Sequence, residues 1–193
     1  MSLILASNSS IRRSMLEQAG VDFVVRSPDY DEKPVQNAHR GDGCSLALRL
    51  AEGKALSVSA DPDDWVVGSD SVVEVGGQRY SKPRDRDEAA VHLRAFSGQE
   101  MILSSAVALA NGGELAWSHA EETLLSVRPL SEEYISSYLD AEWPEVGYCV
   151  GVFRMEGRGV QLFDEIRGSY FTVLGMPLLP LLAALRVNGI LPS

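Results

Sequence analysis

The alternation of apolar and polar residues along the chain predicts helices interleaved with isolated strands and with hairpins. A short apolar run at the start passes into small polar residues and then into a helical pattern that stops at Gly20, which predicts a strand, a cap and a helix in succession. Gly76-Gly77 and Asn111-Gly112-Gly113 separate segments of strand character, as hairpin turns do. Strands are predicted over residues 3–6, 21–26, 65–75, 79–82, 101–110, 114–127, 149–155 and 160–166, and helices over 11–19, 44–59, 85–96, 131–140 and from Pro177.

This order of elements predicts an α/β or α+β fold, with a mixed sheet rather than a purely parallel one. The 193 residues fit one domain over 1–193, or two small lobes around a cleft. Residues 27–43 are expected to form a long polar loop, and loops of that length often carry function.

The charge balance limits the partners of the protein. A formal net charge of -10 argues against general nucleic-acid binding, so an anionic ligand must meet a local group of basic side chains. With two cysteines, no leader-like start and no apolar run long enough to span a bilayer, a cytoplasmic protein with no membrane partner is expected. Phosphate loops of the GxxxxGK[ST] type, HExxH and GxSxG are all absent from the sequence.

The first candidate for chemistry is the pattern Ser7-x-Ser9-x-x-Arg12 where the first strand meets the first helix. Hydroxyls, free backbone N–H groups and a guanidinium could converge there on an anion. Simple helix capping by the serines explains the same pattern.

A second candidate is Asp70, which lies with Gly68 in a polar break within the apolar strand 65–75. A carboxylate in such a strand must be paired, bound to a metal or catalytic, although a turn-forming aspartate is equally consistent with the local sequence. Lys54 on a helical face and Lys82 before Pro83 gain interest only if they share a site with Asp70, because most lysines are simply solvated.

The acidic residues Asp29, Asp31 and Glu32 offer oxygen ligands for a divalent cation, although exposed acidic loops usually bind nothing specifically.

An ordered series of segments covering nearly the whole chain resembles the Maf family. The segments are LILASNSSIRRSMLEQAG, SPDYDE, RLAEGKA, VVGSDSVVEVGG, SKPRDRDEA, FSG and MEGRGVQLFDEIRGSYFTVLGMPLLPLL. The resemblance implies a mixed α/β fold of the inosine-triphosphatase-like kind, with a twisted sheet, flanking helices and a deep central cleft. It also implies a cytoplasmic nucleoside triphosphate pyrophosphatase that is often dimeric and depends on a divalent metal such as Mg, Mn or Co.

The resemblance assigns roles residue by residue. Asp70 would be the proton acceptor, and Glu32 and Asp70 would be the metal ligands. The phosphates would be held by Ser7, Ser9, Arg12, Lys54 and Lys82, with Arg12 and the two lysines also in the catalytic set.

Base selection would fall on Ile11, Ser71 and Glu156. Glu156 resembles the branch that accepts 7-methyl-GTP, whereas that branch usually has other residues at the positions of Ile11 and Ser71. Because a carboxylate only accepts hydrogen bonds and the guanine edge offers adjacent N–H donors, a guanine-like base is the hypothesis. Two other readings remain open: a nucleotide-binding regulator of septum formation or cell division with little turnover, and a phosphatase that removes the terminal phosphate.

Overall fold

The computed structural model describes residues 1–192, which form seven strands, seven α-helices and two short 3-10 helices. The strands are β1 (Leu3–Ala6), β2 (Val24–Arg26), β3 (Trp65–Val75), β4 (Gln78–Tyr80), β5 (Glu100–Asn111), β6 (Glu114–Val127) and β7 (Phe163–Arg167). The α-helices are α1 (Ser10–Gln18), α2 (Lys33–Ala38), α3 (Gly43–Ser57), α4 (Arg86–Phe96), α5 (Glu132–Glu142), α6 (Tyr170–Val173) and α7 (Leu178–Val187). The 3-10 helices are Glu145–Tyr148 and Arg158–Leu162.

All seven strands belong to one mixed sheet, in the order β2-β1-β3-β5-β6-β7 with β4 paired to β3. Strand β1 is parallel to both β2 and β3, while the pairs β3–β4 and β6–β7 are antiparallel. The predicted α/β class with a mixed sheet is therefore confirmed. None of the helices in residues 1–192 has the length and apolar character needed to cross a membrane.

The chain divides into two compact units. The first consists of Met1–Ser71, Ser104–Glu121 and the C-terminal segment from Ser169, and the second consists of Val72–Leu103 and Glu122–Gly168. Strands β3, β5 and β6 contribute residues to both units. The sequence-based expectation of one domain with two lobes around a cleft stays a prediction.

In the first unit, apolar residues of β1, β3, β5, α1 and α7 form a continuous core. Its fully buried members include Leu5, Leu16, Val67, Leu109 and Leu181. These residues come from elements with the predicted apolar periodicity, and their burial supplies the main stabilising free energy of this unit.

In the second unit, α4 and α5 pack together through their apolar faces. Leu93 and Phe96 on α4 and Leu139 on α5 are almost completely buried. Tyr80, from β4, meets the Phe96 ring edge-on with 4.7 Å between the ring centroids.

Strand β3 corrects the prediction that polar residues break the strand 65–75, because it runs without interruption from Trp65 to Val75. The polar side chains find partners without leaving the strand: the Ser69 hydroxyl donates to the carbonyl of Gly175, and the Asp70 carboxylate meets a lysine. A buried polar group that is satisfied in this way does not need a turn.

Residues 27–43 are not entirely loop, because α2 lies within them. None of its six residues is buried, so its sequence has no apolar periodicity from which a helix could be predicted.

The strand predicted over residues 149–155 is also wrong. Val152 has a left-handed φ of 55° and its carbonyl accepts a hydrogen bond from the Tyr138 hydroxyl, neither of which fits an extended ladder. The strand predicted from Val160 begins only at Phe163, since a 3-10 helix precedes it.

Candidate active site

Lys54 holds two carboxylates in the first unit. Its Nζ lies 2.6 Å from Oδ1 of Asp70 and 2.8 Å from Oε1 of Glu32. Lys54 and Asp70 are only 8% and 9% exposed, so their ion pair is shielded from water on most sides. Residues distant in sequence thus meet around one ammonium group, as the candidate site requires.

The contact depends on a close approach of α3 to β3 at Gly68. A Cβ atom on Gly68 would lie 2.1 Å from the Ala51 carbonyl oxygen and 2.5 Å from the Ala55 nitrogen, both backbone atoms of α3. Asp70 lies two residues after Gly68 on the same strand, so it faces the same side of the sheet. Lys54 precedes Ala55 on the helix, and the absence of a side chain at Gly68 therefore brings Lys54 within reach of Asp70.

Arg12 lies in the first turn of α1 and is held by sequence-distant groups. Its Nε donates to the Gly175 carbonyl at 2.9 Å, and one terminal nitrogen donates to Ser71 Oγ at 3.0 Å. Its side chain is half-buried. Burial is the largest influence on the pKa of the guanidinium and lowers it, while the negative charges of Asp70 and Glu32 raise it. Arg12 therefore belongs electrostatically to the same group as Lys54.

Ser7 and Ser9 shape the entry into α1. Ser9 is the N-cap, with its hydroxyl accepting from the Arg12 backbone N–H at 3.4 Å, and the Ser7 hydroxyl accepts from the Ser9 backbone N–H at 3.2 Å. The capping interpretation is confirmed for Ser9. A role for Ser7 and Ser9 in binding phosphate stays a prediction.

Sequence reasoning missed Gly175, whose carbonyl accepts hydrogen bonds from Arg12 and Ser69 and lies 3.2 Å from the Ser71 hydroxyl. Its φ of +106° is a conformation that side-chain-bearing residues rarely adopt, and a Cβ there would lie 3.3 Å from Ser71 Oγ. Ser105 was missed as well; its hydroxyl lies 2.9 Å from that of Ser71. Nothing in the local sequence distinguishes either residue from an ordinary turn glycine or strand serine.

The remaining predicted site residues are divided between the two units. Ile11 is half-buried on α1 in the first unit, whereas Lys82 and Glu156 are exposed residues of the second unit. Nε of Arg154 pairs with Oε1 of Glu156 at 3.3 Å. A site that joins Lys82 and Glu156 to Arg12, Lys54 and Asp70 stays a prediction.

The pKa of the Cys149 thiol, in the second unit, is influenced by burial and by nearby charged side chains. Burial raises the pKa of its thiol to about 11; the charge of Glu156 adds to this, and the charges of Lys82 and Arg154 oppose it. Lys82 and Glu156 therefore act on one common thiol.

Glu32 and Asp70 are the two residues of this group that could hold a divalent cation. Within residues 1–192 no three acidic, histidine or cysteine side chains form a metal-binding group. Magnesium, however, is commonly bound by one or two carboxylates together with substrate phosphates. Glu32 and Asp70 already converge on a single positive charge, so the donor set has the required chemistry.

A mixed α/β fold with a shielded carboxylate–lysine pair, a half-buried arginine and serine hydroxyls at a helix start defines a class of protein suited to polyanionic ligands. Comparison with known families identifies the particular group: the model of the Maf family, described as Maf-like protein, matches residues 2–188. The chain belongs to the Maf family.

Curated relatives cover nearly the whole chain. A protein of Rhizobium meliloti (strain 1021) named 7-methyl-GTP pyrophosphatase is 42% identical, over 97% of this chain and 96% of that protein. A protein of Granulibacter bethesdensis named nucleoside triphosphate pyrophosphatase is 44% identical, over 96% of each. The solved structure of the Staphylococcus aureus Ham1 protein is more distant, with 14% identity and a TM-score of 0.47 over 82% of this chain and 90% of that one, and has no bearing on the site.

Proposed function

We propose that this protein hydrolyses nucleoside triphosphates between the α- and β-phosphates, releasing a nucleoside monophosphate and pyrophosphate. The proposal is supported by relatives named 7-methyl-GTP pyrophosphatase and nucleoside triphosphate pyrophosphatase, which are about 40% identical over nearly the whole chain. The observation that carries it is the nearly buried carboxylate of Asp70, held 2.6 Å from the Lys54 ammonium in a group that includes Arg12. A site that only bound a polyanion would gain nothing from a carboxylate that faces the ligand, because the two negative charges repel each other.

The group formed by Arg12, Lys54, Asp70 and Glu32 has no net charge, so it cannot neutralise a triphosphate by itself. Arg12 and Lys54 carry two positive charges, which Asp70 and Glu32 cancel. A triphosphate therefore needs further positive charge, and Lys82 and a divalent cation are proposed to supply it.

Asp70 is proposed to accept the proton of the attacking water. The water oxygen forms a bond to the α-phosphorus, the bond from that phosphorus to the bridging oxygen breaks, and pyrophosphate leaves with the electron pair. Lys54 donates a hydrogen bond to Asp70 and forms an ion pair with Glu32, so at least one of its three N–H donors remains for a phosphate oxygen. Positioning and charge stabilisation then account for most of the catalysis.

A divalent cation, proposed to be Mg, Mn or Co, would be held by Glu32 and Asp70 and would supply positive charge next to the phosphate oxygens. With that cation bound, Asp70 would act either as its ligand or as the proton acceptor. A cytoplasmic location and a homodimer belong to the same proposal, since the resemblance to the Maf family implies both.

A pyrophosphate-release assay tests the reaction class. The panel contains ordinary, methylated and damaged nucleoside triphosphates with magnesium, manganese or cobalt, and chromatography identifies the products. Monophosphate with pyrophosphate is the expected pair. Diphosphate with inorganic phosphate would instead identify a terminal phosphatase, and binding without turnover would identify a nucleotide-binding regulator of cell division.

Replacing Lys54 with alanine is expected to lower kcat/KM for every triphosphate by a similar factor, because the ammonium contacts phosphate rather than base. The change also leaves Asp70 and Glu32 without their shared cation, so a loss of about 3 kcal/mol of folding stability is expected. Steady-state kinetics on several nucleotides and a denaturant titration measure the two effects. Lys33→Ala, an exposed lysine on α2, is the matched control; a loss confined to one base would contradict the assignment.

Glu156 is proposed to read the base, with a preference for guanine or 7-methylguanine. Glu156→Gln introduces a donor at an acceptor-only position, so the ratio of kcat/KM for guanine over pyrimidine nucleotides should fall by about tenfold while the best rate changes less. The exposed Glu145 of the same unit supplies the control variant Glu145→Gln. Faster turnover of dTTP and UTP than of every purine by the unsubstituted protein would rule the preference out.

A further inference from the structure

A chain of hydrogen bonds runs from Arg12 into the interior of the first unit through two serines. Arg12 donates to Ser71 Oγ at 3.0 Å, the hydroxyls of Ser71 and Ser105 lie 2.9 Å apart, and Ser105 Oγ donates to the Thr172 carbonyl at 2.8 Å. Ser105 is completely buried. The chain therefore ends on a backbone carbonyl that is fixed by the fold.

The single proton of each hydroxyl gives this chain a direction. A serine hydroxyl has one donor and two acceptor sites. Ser105 uses its proton on the Thr172 carbonyl, so toward Ser71 it can only accept. Ser71 must then donate to Ser105, which leaves its lone pairs to receive the N–H of Arg12.

We infer that Ser105 is a positioning residue that acts through Ser71 to orient the guanidinium of Arg12 for the triphosphate. The inference rests on the proposed function, since it assigns Arg12 to phosphate binding. The bonds to Gly175 and Ser71 use two of the five N–H donors of Arg12, and the others can turn to phosphate oxygens.

Removing the Ser105 hydroxyl redirects the Ser71 proton. The other acceptor next to Ser71 Oγ is the Gly175 carbonyl at 3.2 Å, which also holds Nε of Arg12. Ser71 would then compete with Arg12 for that oxygen and turn its lone pairs away from the guanidinium. Arg12 would lose its fixed orientation although neither of its own partners was deleted.

The test measures binding of a nonhydrolysable α,β-methylene nucleoside triphosphate with magnesium, beside steady-state kinetics. Ser105→Ala should weaken binding about three- to tenfold and raise KM by a similar factor, with kcat nearly unchanged, because an oriented phosphate contact acts in the ground state and the transition state alike. The double variant Ser71→Ala/Ser105→Ala should bind no worse than Ser71→Ala, because both changes break the same chain.

The neighbouring Ser104 provides the control. It is equally buried, but its hydroxyl has no hydrogen-bond partner within residues 1–192, so Ser104→Ala should bind as tightly as the unsubstituted protein. The inference is overturned if Ser105→Ala binds the analogue as tightly as the unsubstituted protein, or if Ser104→Ala weakens binding as much as Ser105→Ala does. It is also overturned if the losses of affinity from Ser71→Ala and Ser105→Ala multiply in the double variant, or if the unsubstituted protein does not bind the analogue. Binding without turnover of true triphosphates would overturn the proposed function and leave this inference standing.

Discussion

Asp70→Asn is expected to abolish most turnover, lowering kcat by about a hundredfold to ten-thousandfold, while the affinity for a nonhydrolysable triphosphate changes far less. The amide has nearly the shape of the carboxylate and can still accept a hydrogen bond from Lys54, which lies 2.6 Å from the native oxygen. It cannot take up a proton from water, however, and it is a poor metal ligand. Pyrophosphate release and analogue titration measure the two quantities separately.

The matched control for this experiment is Asp64→Asn. Asp64 is another nearly buried carboxylate of the first unit, immediately before β3, and it accepts a hydrogen bond from the backbone N–H of Ser2 rather than facing Lys54. Its substitution should leave kcat unchanged. Turnover by Asp70→Asn at the unsubstituted rate would remove Asp70 from the mechanism, and a rate loss in both variants would point to general damage to the unit.

Gly68→Ala is expected to lower both stability and activity, because the added Cβ would overlap backbone atoms of α3 rather than a side chain that can move. The contacts of 2.1 and 2.5 Å with Ala51 and Ala55 can be relieved only by moving α3 away from β3. Overpacking of this kind costs about 1–3 kcal/mol, and the movement carries Lys54 away from Asp70. Denaturant midpoints and kcat/KM should therefore fall together.

Gly41→Ala is the matched substitution for this prediction. A Cβ at Gly41 would also be crowded, at 2.5 Å from the Ser45 hydroxyl oxygen and 2.8 Å from a His39 ring nitrogen, but these are side-chain atoms that can rotate aside. Its stability loss should be the smaller of the two, with activity retained. Equal behaviour of the two variants would show that the approach of α3 to β3 has no special role.

The N-terminal strand and helix show how much of the fold local sequence carries. An apolar run, a capping serine and a stop glycine predicted β1 and α1, and the structure places β1 over Leu3–Ala6 and caps α1 with Ser9. By contrast, α2 buries none of its residues and escaped prediction, while Cys149–Met155 has the composition of a strand and folds otherwise. Local patterns fail where burial does not impose a period, or where a distant partner such as Tyr138 fixes the backbone.

The sequence by itself determined the class of fold, the helix and strand character of most segments, and the identity of Asp70, Lys54 and Arg12 as residues worth testing. Only the tertiary structure decided that Lys54 lies between two carboxylates and that Arg12 donates to the carbonyl of Gly175, 163 residues away in the chain. Propensity and periodicity act over one or two turns, so they fix elements. A contact between elements depends on how closely their backbones pack, and at Gly68 it depends on the absence of a single Cβ atom.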